Sequence, residues 1–266
     1  MLQIQYVMKR ILPIIICLLA LQLTNAQESS FKTGEWFKFK MSYSGFLKAG
    51  NATLQVNETV LDGKQVYHVV GKGWTTGAIK WFFKVEDRYE SYFDKRSIVP
   101  YKFIRKIDEG GHKKDIEITF DQDKKEALVH NKKHNTKKSF TTKPNIQDMV
   151  STFYYLRNNI DTKNLKVGDE VKLDMFFDEE NYGFKLKYLG RENLDTKFGE
   201  VDALIFRPYV MAGRVFKEEE SLTLWVSNDK NKIPLRIKAD LAVGSLRADL
   251  EAFKGLKHQF KILVED

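Results

Sequence analysis

The feature that most constrains the fold of this chain is an apolar–polar alternation with a period of two residues. It runs through most of the sequence after residue 35, and turn signals such as Leu61-Asp62-Gly63-Lys64 interrupt it. Such alternation is typical of antiparallel strands that bury one face. Clear examples are Phe37, Phe39, Met41 and Tyr43; Ile116, Ile118 and Phe120; Val171, Leu173, Met175 and Phe177; and Leu235, Ile237, Ala239 and Leu241. The chain is therefore predicted to be mainly β.

One segment departs from this alternation and shows helical spacing instead. After Pro144 the apolar residues fall at Ile146, Met149, Val150, Phe153, Leu156 and Ile160. This spacing predicts one amphipathic helix from about Ile146 to Asn158. Asn145 is the predicted N-cap, and Asp148 then places a carboxylate in the first turn.

The segments before and after this helix have similar sequence patterns. Gly34-Glu35-Trp36-Phe37 resembles Gly168-Asp169-Glu170-Val171, and each segment reaches a proline at the same distance from its first glycine, at Pro100 and Pro234. We interpret the two segments as copies of one unit. Because the turns of any β-meander favour Gly, Pro and Asp, chance similarity is the alternative.

Two such meanders cannot each hide an apolar face alone, so we expect them to pack together. The predicted organisation is a single β-rich domain over 27–266. Its halves span about 31–140 and about 165–262, and the helix at about 145–160 lies between them. The predicted architecture is an antiparallel barrel-like sheet or two curved packed sheets.

The first 26 residues have the features of an export signal. Met8-Lys9-Arg10 is basic, Ile11–Leu23 is mostly apolar, and Thr24-Asn25-Ala26 is a suitable cleavage site. We predict cleavage near Gln27, with a retained N-terminal anchor as the alternative. The mature chain then lacks the single cysteine, Cys17, and with it any disulfide. The formal net charge of +8 favours anionic partners, and export makes nucleic acid a poor candidate.

Several of these motifs together resemble a known family. They are the helical run Asp148–Arg157, the strand run Leu222–Asp229, Ile233–Ile237 and Ala242–Ser245. The chain resembles the bacterial exported proteins grouped as the domain of unknown function 3108. The resemblance implies a β-rich, barrel-like protein in the periplasm or at the cell surface. It implies no activity and provides no catalytic residues.

Motifs that would carry catalysis or hold a cofactor are not found in the sequence. There is no nucleophile elbow, phosphate loop or dinucleotide fingerprint. His130 and His134 stand among lysines that would repel a metal cation. The acidic clusters Asp178–Glu180 and Glu218–Glu220 are interpreted as solvated loops, although a glycosidase also needs two acids across a cleft. We therefore predict no catalytic residue, no metal site and no cofactor.

Two groups of residues are candidates for binding. The first is aromatic and is predicted to meet acyl chains or sugar rings at the mouth of a cavity; its alternative role is to plug the end of the core. It consists of Trp74, Trp81, Phe82, Phe83 and, in the second half, Phe216. The second is basic and is predicted to contact an anionic membrane or glycan. It consists of Lys132, Lys133, Lys137 and Lys138. The alternative is that these lysines form a solvated loop and protect an edge strand from aggregation.

Export, a two-half β architecture and abundant aromatic residues favour a non-enzymatic module of the cell envelope. We expect it to bind or carry an amphipathic or lipid-like ligand, or an envelope glycan, in the periplasm; a secreted or surface location is the alternative. One alternative function is an assembly factor that binds an envelope protein or polysaccharide. Another is a glycan hydrolase or esterase. No transmembrane segment is predicted in the mature chain.

Overall fold

The computed structural model describes residues 28–209, 221–241 and 243–263. The predicted export segment, 1–26, lies outside them. The described part is mainly β, as predicted, and contains fourteen strands, a short helix α1 at Ile79–Phe82 and a longer helix α2 at Met149–Asn159. The strands are β1 Trp36–Tyr43, β2 Leu47–Leu61, β3 Lys64–Thr75, β4 Glu86–Asp94, β5 Pro100–Glu109, β6 His112–Asp121, β7 Glu126–Asn131, β8 Thr136–Thr141, β9 Glu170–Phe177, β10 Glu180–Thr196, β11 Gly199–Tyr209, β12 Leu222–Ser227, β13 Pro234–Asp240 and β14 Ser245–Lys254.

All fourteen strands belong to one antiparallel sheet. Its order is β8-β7-β6-β5-β4-β3-β2-β1-β14-β13-β12-β11-β10-β9. Within β1–β8 and within β9–β14, neighbours in the chain are therefore neighbours in the sheet, and β14 returns to pair with β1. Of the two predicted architectures, the structure has the single barrel-like sheet. The sheet stays open between β8 and β9, which are its two edges.

Each strand reverses the direction of the one before it, so the described connections from an odd-numbered to the next even-numbered strand all lie at one end of the sheet. We call this the upper end. Its described connections are 44–46, 76–85, 110–111, 132–135, 178–179 and the part of 241–244 without residue 242.

The open edge is bridged by the chain that leads into α2. The backbone N–H of Gln147 donates to Asp174 O over 2.9 Å, and Phe176 N–H donates to Gln147 O over the same distance. Higher up, the Asn181 side-chain amide donates to Thr141 O over 2.9 Å. The segment before α2 and the Asn181 side chain therefore connect the two edges.

Helix α2 begins later than predicted. Asp148, not Asn145, is the N-cap: its Oδ1 accepts from Val150 N–H and Ser151 N–H, each over 2.7 Å, and Ser151 Oγ accepts from Asp148 N–H. The helix cannot start at Ile146 because Gln147 is extended and paired with β9. Among the described residues, neither helix is long and apolar enough to cross a membrane.

Helix α2 fills the space between the two halves of the sheet. Val150 and Tyr154 pack against the first half, in a cluster with Phe31, Phe93 and Phe103. Two further residues of this region face the second half: Leu156 and Ile160 pack with Leu186, Leu204 and Phe206. Each such fully buried side chain contributes roughly 1.5–3 kcal/mol to folding. The void left between α2 and the second half measures only about 30 Å³, so this part of the interior is packed.

The two halves also share local hydrogen bonding. In the first half, Gly34 N–H donates to Val56 O, and Val56 N–H donates to Glu35 O. In the second half, Gly168 N–H donates to Tyr188 O, and Tyr188 N–H donates to Asp169 O. The turns before β5 and β13 match as well. In both, an aspartate Oδ1, of Asp94 or Asp229, accepts the backbone N–H groups two and three residues later. These matches are what two copies of one unit would produce.

Candidate ligand-binding cleft

A cleft of about 340 Å³ opens at the upper end of the first half, on the inner face of β5, β6 and β7. Its walls follow the cross-strand pairing of the sheet. Directly opposed residues share a face, so the pairs Phe103–Ile118 and Ile118–Val129 make one row across the three strands. The next row towards the upper end is Arg105, Ile116 and Asn131.

The lower row forms an apolar floor. Phe103, Ile118 and Val129 are each no more than 3% exposed and belong to the main core cluster. The floor is therefore the uppermost layer of that buried cluster. A ligand group that reaches it must be apolar.

The mouth of the cleft is cationic. Arg105 contributes a guanidinium one row above the floor, and Lys113, Lys114 and Lys133 line the opening, together with His112 and His134. The carboxylates in the lining are Asp178 and Glu179, from the β9–β10 turn. Four permanent cations therefore face two anions, and the mouth is positive overall.

The Asp178 carboxylate lies between two of these cations, Arg105 and Lys114. Its Oδ1 accepts from Arg105 Nη1 over 2.5 Å, and its Oδ2 accepts from Lys114 Nζ over 3.2 Å. Asp178 and Glu179 both have left-handed backbone, with φ of 45° and 72°. Residues with side chains are strained there, which is tolerated when surrounding contacts hold the turn. The Arg105 and Lys114 contacts hold this turn across the open edge of the sheet.

Arg105 has a hydrogen-bond donor that its ion pair with Asp178 does not use. Its Nε–H is buried and has no hydrogen-bond partner among the described residues. Its guanidinium carbon lies 4.9 Å from the centre of the Phe177 ring, which forms the wall beside it. Arg105 therefore has an N–H group that can donate a hydrogen bond to a further anionic or carbonyl oxygen.

Two acidic groups lie behind Arg105 on the inner face. Burial raises the pKa of Asp87 to about 6; repulsion by Glu109 adds to this effect, and Arg105 reduces it. Burial likewise raises the pKa of Tyr89 to about 12, so its hydroxyl stays neutral. The charge near Arg105 therefore depends on whether Asp87 is protonated.

The predicted aromatic candidates are not in this cleft. Trp74 is half-buried on β3, whereas Trp81, Phe82 and Phe83 lie on or just after α1 and are 88%, 85% and 50% exposed. Phe83 packs on Gly110, where a Cβ would lie 2.6 Å from its ring. Phe216 lies outside the described residues.

The predicted lysine candidates separate in the structure. Lys133 lines the cleft. Lys132 pairs with Glu117 over 2.7 Å, and Lys138 pairs with Glu179 over 3.1 Å. Lys137 is exposed on β8, opposite His130 on β7. Only one of the four therefore belongs to the cationic mouth.

Sequence reasoning missed the residues that define this cleft, above all Arg105, Lys114 and Phe177. A signal was present for Arg105, because it is a charge in the same alternating row as Phe103 and Ile107. Asp178 was interpreted as part of a solvated loop, and its long-range pairing has no trace in the local sequence.

A second depression on the sheet is less suited to a ligand. It measures about 560 Å³ and includes Arg236, Arg247 and Asp249. These charges already satisfy one another, since Asp249 accepts from Arg236 Nε over 2.5 Å and from Arg247 Nε over 2.7 Å. Elsewhere in the described ranges, no three His, Cys, Asp or Glu side chains group as metal ligands.

An antiparallel sheet that is barrel-like but not closed places the chain among proteins with a β-barrel-like fold. A solved member of this class is the "Beta-barrel-like Protein of Domain of Unknown Function DUF1849" from Brucella abortus. It matches 86% of this chain and 100% of its own, with a TM-score of 0.57 and 8% sequence identity. The likeness shows the fold.

Within this class the chain belongs to the family described as protein of unknown function DUF3108, whose sequence profile matches residues 38–251. This confirms the resemblance inferred from the motifs. No curated protein matches the chain.

Two further solved structures are similar to lesser degrees. One is described as a candidate lipoprotein from Parabacteroides distasonis, with 12% identity, coverage of 85% and 98%, and a TM-score of 0.37. The other is described as a candidate exported protein with a YmcC-like fold from Bacteroides fragilis, with 8% identity, coverage of 84% and 97%, and a TM-score of 0.32.

Proposed function

We propose that this chain is an exported, non-enzymatic binding or carrier protein of the periplasm, and that its ligand is a single-chain amphipathic anion. The acidic head group binds at Arg105, Lys114 and Lys133, and the apolar chain lies on Phe103, Ile118 and Val129. A fatty-acid carboxylate is the simplest molecule with this chemistry.

The observation that carries the proposal is the change from cationic to apolar side chains over two adjacent rows of one sheet face. Arg105 and Phe103 are two residues apart on β5, so a head group and the start of a chain are recognised side by side. Arginine forms strong, charge-assisted hydrogen bonds to carboxylates. A neutral lipid or a free inorganic anion would use only half of the cleft.

Asp178 supports the same chemistry. Its carboxylate lies between Arg105 and Lys114 and pairs with both. A ligand carboxylate would take over part of this role. Binding would then loosen the β9–β10 turn and with it one contact across the open edge between β8 and β9.

The size of the cleft limits the ligand. A volume of about 340 Å³ is at the small end of the usual range for ligand sites, roughly 300–1,000 Å³. The interior below it is packed, so a long chain has no room to continue into the core. One short or partly inserted acyl chain therefore fits, and a two-chain phospholipid does not.

The test is titration calorimetry of delipidated protein with decanoate, and with decanol as the neutral analogue. We expect decanoate to bind at one site and decanol to bind more weakly. Arg105→Gln should weaken decanoate binding about tenfold, because a hydrogen bond to a charged group contributes about 1.5–3 kcal/mol.

Lys137→Gln is the matched control, since Lys137 is an exposed cation of the same region that does not line the cleft. Its affinity for decanoate should equal that of the wild type. Equal binding of decanol and decanoate, or an Arg105→Gln variant with unchanged affinity, would show that the cleft is not the site.

A further inference from the structure

Six large apolar side chains protrude together at the upper end. We name them the apolar rim: Phe46, Leu47, Trp81, Phe82, Phe83 and Val243. They lie on the connections β13–β14, β1–β2 and β3–β4, which are consecutive around the sheet because β14, β1, β2 and β3 are adjacent. The rim is therefore one continuous surface built from three separate parts of the sequence.

Hydrogen bonds hold the three connections together. Tyr43 Oη donates to Val243 O over 2.8 Å, and Ser44 N–H donates to Ser245 O over 2.7 Å. On the other side, Thr76 N–H donates to Ala49 O over 3.0 Å. These hydrogen bonds tie the three connections that carry the rim to one another.

The rim differs from the other exposed apolar residues because it is rich in aromatic side chains. Within the described ranges, every large aromatic side chain among the exposed apolar residues lies on the rim: Phe46, Trp81, Phe82 and Phe83. The exposed apolar residues elsewhere, such as Val60, Leu128 and Val167, are aliphatic or Met and scattered. Trp and Phe at protruding positions are the residues that insert into the interface of a lipid bilayer.

The charge around the rim favours an anionic surface. The three connections and the two strand residues on either side of each contain Lys48, Lys80 and Lys84 and the acids Glu86, Asp87 and Asp240. Glu86 pairs with Lys84 over 3.0 Å and Asp240 pairs with Lys238 over 2.9 Å. Lys48 and Lys80 are exposed and form no salt bridge within the described part of the chain. Lysines near the surface of a membrane are attracted by its anionic head groups.

The shape of the rim favours a bilayer over a folded partner. Its side chains stand on the tips of turns and on the single-turn helix α1. A fluid lipid surface accepts such separate projections, whereas a protein partner needs complementary packing.

The rim also adjoins the cleft. Phe83 contacts Gly110 in the β5–β6 connection, and the next residues, His112, Lys113 and Lys114, line the cleft mouth. We propose that the apolar rim docks the protein, upper end first, on an anionic lipid bilayer. Trp81 and Phe82 insert between head groups, and Lys48 and Lys80 contact lipid phosphates.

The test is co-sedimentation with vesicles of phosphatidylglycerol and phosphatidylcholine in equal parts, and with vesicles of phosphatidylcholine alone. We expect binding to the anionic vesicles that weakens with added salt. The double variant Trp81→Ala/Phe82→Ala should bind at least about tenfold more weakly, since the affinity of interfacial segments follows their buried apolar area. Both side chains are exposed, so the variant should fold.

The matched control is Leu128→Ala/Val167→Ala, which removes two exposed aliphatic side chains away from the rim and should leave vesicle binding unchanged. Arg105→Gln should also dock normally, and the rim variant should still bind decanoate; this separates docking from the proposed ligand site. Failure of the wild type to bind anionic vesicles would overturn the proposal. So would wild-type self-association, seen by analytical ultracentrifugation, that Trp81→Ala/Phe82→Ala abolishes, because the rim would then be an interface between copies.

Discussion

Arg157 and Glu35 form a bidentate ion pair at the centre of the molecule. Nη1 donates to Oε1 over 2.6 Å and Nη2 donates to Oε2 over 2.8 Å, and both side chains are buried. Burial by itself lowers the pKa of Arg157, but the Glu35 carboxylate more than offsets this and the pKa lies above its usual value. Arg157 therefore stays charged inside the core.

The same guanidinium joins the three parts of the fold. Arg157 belongs to α2, Glu35 precedes β1 in the first half, and Asn231 lies in the turn before β13 in the second half. Arg157 Nε and Nη2 donate to Asn231 O over 3.1 and 2.8 Å. One side chain thus joins the helix to both halves of the sheet.

Removing the carboxylate should be costly. We expect Glu35→Gln to lower the free energy of unfolding by about 3 kcal/mol, because a buried cation that loses its partner is left uncompensated. Urea denaturation followed by circular dichroism measures this change. A loss of less than about 0.5 kcal/mol, the range of ordinary surface substitutions, would contradict a central role for the pair.

The double variant Glu35→Leu/Arg157→Met separates charge pairing from position. Buried ion pairs are often replaced by apolar side chains at little cost, so the double variant should lose less stability than the two single variants combined. Additive losses would mean that the two side chains act independently.

Asp87 should make stability depend on pH. Its folded pKa of about 6 lies above the ordinary value of 3.8, chiefly because it is buried and then because Glu109 repels it. The folded state therefore binds the proton more tightly than the unfolded chain. The contribution of Asp87 is most favourable below pH 3.8 and is lost as the pH rises through about 6.

The substitution Asp87→Asn isolates this effect, because Asn cannot ionise and its Oδ1 can still accept from Asp108 N–H, as Asp87 does over 3.3 Å. We expect the stability of the variant relative to wild type to increase between pH 4 and pH 6 and to level off above that. Urea midpoints measured in parallel at each pH give the difference, in which all other titrating groups cancel. A difference that is constant with pH would show that Asp87 keeps its ordinary pKa.

Asp178→Asn should strengthen ligand binding. Asn tolerates left-handed backbone, so the β9–β10 turn should persist. The carboxylate that competes for Arg105 and Lys114 is removed, and the mouth gains net positive charge. Calorimetry should show a several-fold higher affinity for decanoate. Unchanged or weaker binding would mean that Asp178 supports the site as a structural element and does not compete with the ligand.

The strands and their turns were predictable because they are encoded locally. The period-two rows became β1, β6, β9 and β13. Leu61-Asp62-Gly63-Lys64 became the β2–β3 turn, where Asp62 and Gly63 take the positive φ that such a turn requires. The helix was predictable from its spacing, but its first residue was not. Gln147 pairs with β9, a contact between residues distant in the sequence.

The cleft was not predictable for a similar reason. Arg105, Asn131 and Asp178 come from three different strands or turns, and only the sheet order brings them together. The aromatic segment around Trp81 was recognisable as unusual. The sequence does not show whether such residues face a cavity or solvent, because that depends on the neighbouring connections at the upper end.

Gly50 lies where β2 bulges against β1, between the pairs Met41–Gly50 and Ser42–Lys48. A Cβ on Gly50 would lie 2.2 Å from the carbonyl oxygen of Trp74, which is backbone and cannot rotate away. We expect Gly50→Ala to lower the free energy of unfolding by about 2 kcal/mol, the usual cost of overpacking, as measured in urea.

Gly73→Ala on β3 is the matched control, because no atom lies within 4 Å of its added Cβ. Its stability should change by no more than about 0.5 kcal/mol. Equal stability of the two variants would mean that the close approach of β2 and β3, which positions the apolar rim, does not depend on the missing side chain.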